Sequence, residues 1–382
     1  MLGQDRDIII GDQYLDLIIE YRTYPQLITL FENATLHIMN ELYAVLHLPI
    51  NQFNEKVSAV RFTEIPLVYG LTDETSLRAS RVIDIRNTPA FNLRGEGVII
   101  AIIDTGIDYT NPVFLRPDGT TKILSIWDQS INTGPSPPDA NFGTVYTREQ
   151  INEALASEDP FSIVPSMDEV GHGTMLAGIA AGNDVEEEGF LGVAPDADLL
   201  IVKLRQAKQS ARNFFLIPDN VVCFQENHIM WAVQYCNDVA VQLNRPLVIC
   251  LGLGTSQGPH MGRTPLDVIL NVVADLPDRA VVVSAGNEGN MGRHYYGVID
   301  PSIGSNTVEL NVDESDTGFS LELWGDTPGI YSIDVLSPSG EYIPRIPPSL
   351  RVNRVISFIF EKTMLYINYH TIESETGDQL IL

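Results

Sequence analysis

Val98-Ile99-Ile100-Ala101-Ile102-Ile103-Asp104-Thr105-Gly106-Ile107-Asp108 is the stretch from which the fold can be read. An unbroken apolar run of this length suits a strand covered on both faces, as in a parallel sheet held between layers of helices. The run ends on an acid, and Gly106 permits a sharp turn directly after it. Asp104 therefore falls at the carboxyl end of the strand, where open α/β sheets keep their chemistry. A carboxylate buried there needs a partner.

Further along the chain the same texture recurs. Asp198-Leu199-Leu200-Ile201-Val202-Lys203 precedes a helical segment over 225–243, Leu247-Val248-Ile249-Cys250-Leu251 precedes another over 265–275, and Ala280-Val281-Val282-Val283 follows. This alternation predicts an α/β domain over residues 86–300, a parallel sheet with helices on both faces. Asn87-Thr88-Pro89 and Arg94-Gly95-Glu96-Gly97 punctuate the chain before it. Residues 1–85 read as a small α+β domain, with apolar residues at helical spacing over 24–46 and strand-like alternation over 57–62. Residues 301–382 turn β-rich, with strands expected over 308–312, 320–324, 331–335 and 355–360 between Gly and Pro turns. They predict a β-sandwich or jelly-roll that is incomplete at Leu382.

The chain has 382 residues, 23 Lys plus Arg against 50 Asp plus Glu, and a formal net charge of −27. A field of that sign repels phosphate backbones and anionic lipid, which disfavours nucleic acid and membrane surfaces as partners. With 44% hydrophobic and 19% charged residues, the composition is that of a folded globular protein, so the acidity belongs to the surface. Cys223, Cys236 and Cys250 form neither a disulfide framework nor a zinc pattern. The N-terminus carries acids where a secretory signal needs a basic segment, and no apolar run approaches spanning length. A soluble protein without a classical signal peptide is expected.

Two further segments carry chemistry. Gly171-His172-Gly173-Thr174 opens a helix rich in small residues, which sets His172 in its first turn, where an imidazole can meet Asp104. Ser284-Ala285-Gly286-Asn287-Glu288-Gly289 follows an apolar strand; Asn287 is either a turn asparagine or an amide donor to a developing oxyanion. A glycine loop that would cradle phosphate is not found after the first strand, since Asp104 stands there. His228 and His260 read as surface or cap histidines and His294 as a residue of the polar loop after Asn287, none with metal-ligand spacing, and Trp127 and Trp231 as core or rim. Glu186-Glu187-Glu188 reads as a solvated turn.

Ala101-Ile102-Ile103-Asp104-Thr105-Gly106-Ile107, Gly171-His172-Gly173-Thr174 with Ala177-Gly178, Gly192-Val193-Ala194-Pro195 and Ala285-Gly286-Asn287 resemble, in order, the signature blocks of the subtilases. Asn111-Pro112, the acidic stretch over 159–169 and Gly254-Thr255-Ser256-Gln257-Gly258 resemble most the germination-type subtilases of spore-forming bacteria. The resemblance implies a subtilisin-like fold and a serine endopeptidase acting on protein or peptide substrates. In it Asp104 orients His172, His172 is general base, and Asn287 polarises the scissile carbonyl. It further implies that Leu251-Gly252-Leu253-Gly254 pairs with the substrate backbone, with Gly252 where the family often has serine. Residues 1–85 would be the chain's own propeptide, assisting folding and blocking the cleft. No cofactor is implied, although calcium is compatible with the family, and the location would be cytoplasmic or spore-associated.

The nucleophile block of the family, Gly-Thr-Ser-Met/X-Ala opening a helix, does not occur after Asn287. Ser256 lies upstream of Asn287 and is followed by Gln257-Gly258-Pro259, which would not start that helix, so Ser256 is not assigned as nucleophile. Germination-type relatives place a jelly-roll between the Asn and Ser blocks, so the nucleophilic serine is expected outside this chain. The alternative is a catalytically inactive subtilase-fold protein that binds or regulates.

Overall fold

The computed structural model describes residues 2–23, 31, 34–51, 60–71, 93–185, 190–289, 291–314, 316–348, 351–370 and 379–382. Helix α1 (Leu2–Ile10) leads into β1 (Tyr14–Ile19); β2 (Thr35–Ile38) and β3 (Ala44–Pro49) complete an antiparallel sheet in the order β1-β3-β2. The helix expected over 24–46 is not what forms in its described part. Asn40 Oδ1 accepts the N–H groups of Leu42 and Tyr43, each at 2.8 Å, and this side-chain turn folds the chain back so that Leu36 lies opposite Leu46. Of the strand expected over 57–62, residues 57–59 lie outside the described residues, and Phe62–Glu64 forms a 3-10 turn. β4 (Val68–Leu71) follows.

The central sheet is built from β5 (Ile99–Asp104), β6 (Ile123–Asp128), β7 (Thr144–Thr147), β8 (Asp198–Lys203), β10 (Leu247–Leu251) and β12 (Arg279–Val283). Their order is β12-β10-β5-β8-β6-β7, parallel except for β7. Helices α2 (Arg148–Leu155), α3 (His172–Ala181), α4 (Glu226–Leu243) and α5 (Pro265–Ala274) cover it, and the short strands β9 (Phe224–Gln225) and β11 (Leu253–Gly254) lie outside it. β5 explains why its sequence is apolar throughout. Ile99, Ala101 and Ile103 pack with Ile229, Met230 and Ile269 of α4 and α5, whereas Ile100 and Ile102 pack with Ile151 and Leu176 of α2 and α3. The alternation across the pleat thus feeds two cores.

The amino ends of the strands converge on Asp198, at the start of β8. It accepts from Arg116, from Arg148 at 2.9 Å and from Arg245 at 2.7 Å. Arg245 Nε also reaches Gly97 O at 2.9 Å, before β5, and Arg148 Nε reaches Ile123 O at 3.2 Å on β6.

Beyond β12, residues 284–322 contain no strand among those described, including the stretch over 308–312 where one was expected. Val308, Leu310 and Val312 are exposed there, so alternation without an apolar layer to cover it does not produce pairing. The β-rich part begins later, with β13 (Leu323–Gly325), β14 (Ile333–Leu336), β15 (Tyr342–Ile346), β16 (Arg351–Ser357), β17 (Met364–His370) and β18 (Gln379–Ile381). A sheet in the order β13-β18-β17-β16 and the β14-β15 hairpin close around Ile346, Ile367, Tyr369 and Ile381. Trp127 and Trp231 are core residues, and none of the three cysteines is in a disulfide.

The N-terminal sheet docks on the central domain through a buried polar cluster. Asp16 on β1 receives His47 Nδ1 at 2.7 Å from β3, Lys208 Nζ at 2.7 Å and Asn227 Nδ2 at 2.9 Å from α4. His228, expected at the surface, is fully buried beside this cluster because α4 is enclosed between the central and N-terminal sheets. Its ring lies 5.7 Å from that of Phe142, and burial holds its pKa well below the ordinary histidine value. Burial alone would raise the Asp16 carboxyl, but Lys208 and His47 outweigh it and hold the group well below the usual carboxylate range. Asp16→Ala strands the Lys208 ammonium in the interior. It should cost about 3–5 kcal/mol in denaturant unfolding, whereas replacing Asp16 and Lys208 together by Leu and Met should recover most of that loss. Because the folded pKa is depressed, the contribution of Asp16 is present at neutral pH and begins to fade as the pH drops below about 4.

Candidate active site

β5 delivers Asp104 fully buried at its carboxyl end. Asp104 Oδ1 accepts the Thr105 N–H at 2.7 Å and lies 2.8 Å from His172 Nδ1. The His172 side chain is 11% exposed, so the ring is held on one side and accessible on the other. With Nδ1–H donating to the carboxylate, the tautomer leaves Nε2 unprotonated, the form in which an imidazole can take up a proton. The other carboxylate oxygen, Oδ2, is buried without a hydrogen-bond partner among the described residues.

His172 is the first residue of α3, and the Gly-His-Gly pattern has a steric cause. A Cβ on Gly173 would stand 2.3 Å from Gly106 O and 3.2 Å from Asp104 Cβ, so only glycine lets the helix approach the strand end this closely. Three residues that sequence reasoning missed fix the approach. Thr105 Oγ1 accepts the Gly173 N–H at 2.9 Å, and Thr174 Oγ1 accepts the Asp108 N–H at 2.8 Å. Asp168 accepts from Gly171 N–H at 2.8 Å, Thr174 N–H at 2.9 Å and the Thr174 hydroxyl at 2.7 Å. Burial opposes ionisation of Asp168, but its hydrogen bonds with Thr174 and Thr105 and those from the backbone hold its pKa below the ordinary value. A negative charge at the N-terminus of α3 also complements the helix dipole. The signal was an acid three residues before Gly171, the residue that caps the helix.

The expected substrate-pairing residues lie against this pair. A Cβ on Gly252 would fall 3.1 Å from His172 Cε1 and 3.3 Å from Asp104 Oδ2, while Leu251 and Leu253 are buried. Leu253 and Gly254 pair antiparallel with Leu71 and Gly70 of β4, and β4 pairs on its other edge with β9, Val68 opposite Gln225 and Tyr69 opposite Phe224. The chain's own segment is thus the middle strand of a three-stranded sheet, its Leu71 end directed toward Gly252 and the imidazole. A cavity of about 240 Å³ beside it is lined by Tyr69, Ile229, Leu251, Leu253, Leu266 and Leu270, among others. Asn287 is exposed, four residues beyond β12 and two strands from β5, and the structure does not bring it into the hydrogen-bonded pair. Ser256 donates to Glu288 Oε2 at 2.6 Å, so its hydroxyl is engaged away from His172. His260 and His294 are exposed, with ring centroids 4.8 Å apart.

The model of the subtilase family matches residues 95–312. The chain belongs to the subtilase family. The subtilase is similar to the PII-type proteinase of Lacticaseibacillus paracasei, at 23% identity over 70% of this chain and 14% of that protein. It is also similar to thermitase of Thermoactinomyces vulgaris, at 25% identity over 67% of each. Among solved structures it resembles the Clostridium perfringens CspB protease, at 29% identity and a TM-score of 0.65 over 80% of this chain and 60% of that one. That likeness agrees with the germination-type resemblance, and the subtilase spans only part of these relatives.

Calcium is admitted by the family, but the oxygens after α3 are already taken. Lys122 Nζ donates to Ala181 O at 2.8 Å, Asn183 Oδ1 at 2.6 Å and Pro195 O at 2.7 Å, so an ammonium already fills the oxygen cluster after α3 and the residues do not fit a calcium ion there. Among the described residues no group of three or more His, Cys, Asp or Glu side chains converges for a metal, and no helix is long and apolar enough to cross a membrane.

Gly173→Ala should separate the helix from the strand end. We expect about 1–3 kcal/mol of destabilisation in thermal unfolding. The downfield nuclear magnetic resonance of the His172 Nδ1 proton should disappear with it; retention of that signal would show that the site absorbs the methyl group.

Proposed function

We propose that this chain carries the acid–base half of a serine endopeptidase, with the nucleophilic serine supplied from outside these 382 residues. The observation that carries the reading is the 2.8 Å bond between His172 Nδ1 and the buried Asp104 carboxylate, beside a groove that accepts a strand. A serine hydroxyl is barely ionised at neutral pH, so attack on a peptide carbonyl requires its proton to be taken as the new C–O bond forms. His172 Nε2 takes that proton, Asp104 stabilises the imidazolium, and the carbonyl π electrons move to oxygen. Asn287 is proposed to donate to that oxygen, a contribution of about 3–4 kcal/mol where such donors have been removed. When the C–N bond breaks, the imidazolium returns the proton to the leaving amine, and water repeats the sequence on the acyl ester.

Residues 1–85 are proposed to be the subtilase's own propeptide, with β4 lying in the groove as a substrate would. A protein or peptide substrate would replace β4 as the central strand. The substrate residues that follow this strand would then approach the imidazole.

The reading is tested on the full-length gene product with a fluorophosphonate probe, which labels only an activated serine. Labelling lost in His172→Ala, and a fall in kcat of about 10⁴-fold in Asp104→Asn through the wrong imidazole tautomer, is the expected result. A correctly folded product that takes no label is instead the inactive binding protein, and the enzymatic reading falls.

A further inference from the structure

We propose that Glu226 is a positioning residue that anchors the main chain of the peptide in the groove, immediately upstream of the paired strand. This rests on the groove being the substrate site. Glu226 opens α4 and is fully buried. Its own N–H donates to Leu67 O at 2.8 Å, and its Oε2 accepts the Leu67 N–H at 3.1 Å, so one residue satisfies both backbone groups of the residue preceding β4. Oε1 accepts the Leu266 N–H at 3.0 Å in the first turn of α5, which ties the anchor to the helix lining the cavity beside Tyr69.

The contacts ask nothing of the side chain at position 67 except that its nitrogen bear a hydrogen. β9 and β11 each pair with only two residues of β4, a short ladder on either side, and Val68 N–H adds a bond to Gln257 Oε1 at 3.2 Å. Glu226 lengthens this ladder by one residue at the end remote from His172. It therefore acts on how tightly and in which register a peptide lies, and not on proton transfer.

The groups that face Glu226 are Tyr69 from β4 and Thr264 and Asp267 from the start of α5. Burial pushes its carboxyl up to about 7, against the backbone donors Leu266 and Leu67, and Asp267 pushes in the same direction as burial.

The test uses the full-length gene product and two quenched fluorescent peptides, one matching residues 65–75 and a shorter one matching residues 68–75. The long peptide should have a KM about tenfold lower at equal kcat, the effect of leaving the buried Glu226 carboxylate oxygen without its donor when the Leu67 N–H is missing. N-methylation of the long peptide at the Leu67 position should abolish the difference without any change in the enzyme. In Glu226→Gln, which cannot accept from both amides, the long peptide's KM should rise about tenfold. A KM indifferent to N-methylation, or a glutamine variant that lowers kcat equally for both peptides, would overturn the anchor while leaving the groove intact. If neither peptide is cut by an enzyme that takes the fluorophosphonate label, the groove assignment itself is wrong.

Discussion

A carboxylate taken wholly out of water must be compensated by the groups around it, and the Asp104–His172 bond is that compensation. The surrounding structure follows from keeping it. β5 has to be covered on both faces to bury its last residue, which requires apolar residues at every position and helices on either side. The helix that brings the imidazole must come within contact of the strand end, which requires glycine at 173. Asp168 and Thr105 then hold that helix through backbone donors that its first turn would otherwise leave unpaired.

The N-terminal sheet depends on the same domain in a different way. Its inner face joins the large core through Ile18 and Val45, and its outer face keeps a small core of its own around Leu17 and Leu46. Between the two units, the Asp16–Lys208 pair favours one docking geometry, since a shifted interface would leave both charges buried and apart. That geometry brings Leu67–Leu71 into the groove beside Gly252, so the placement of one ion pair far from the imidazole governs how the cleft is filled.

The central strands and the helix beginning at His172 were legible because their signals are local: an apolar run, small residues, glycines flanking a histidine. The parts that were misread depend on partners distant in sequence. Leu36 and Leu46 suit a helix until the Asn40 turn lays one strand against the other. Val308 and Leu310 suit a strand but have no layer to lie against. His228 looked like a cap residue because nothing near it in sequence announces that a second sheet closes over α4. Asp16 meets Lys208 across 192 positions, and Leu67 meets Glu226 across 159, so neither pairing leaves a pattern that a window of sequence can hold.

Parallel strands tolerate sliding poorly here, and the reason lies at the opposite end of the sheet from the imidazole. The three guanidiniums gathered on Asp198 also grip carbonyls at the starts of β5 and β6, so they fix where each strand begins relative to its neighbours. A displacement of β5 by one residue would break those grips and invert its pleat, sending Ile100 and Ile102 to the wrong layer. It would also turn the Asp104 carboxylate to the face away from α3. The arginine knot thus works as an alignment pin: charge fixed at one end of the sheet determines which side of it the Asp104 carboxylate emerges from at the other.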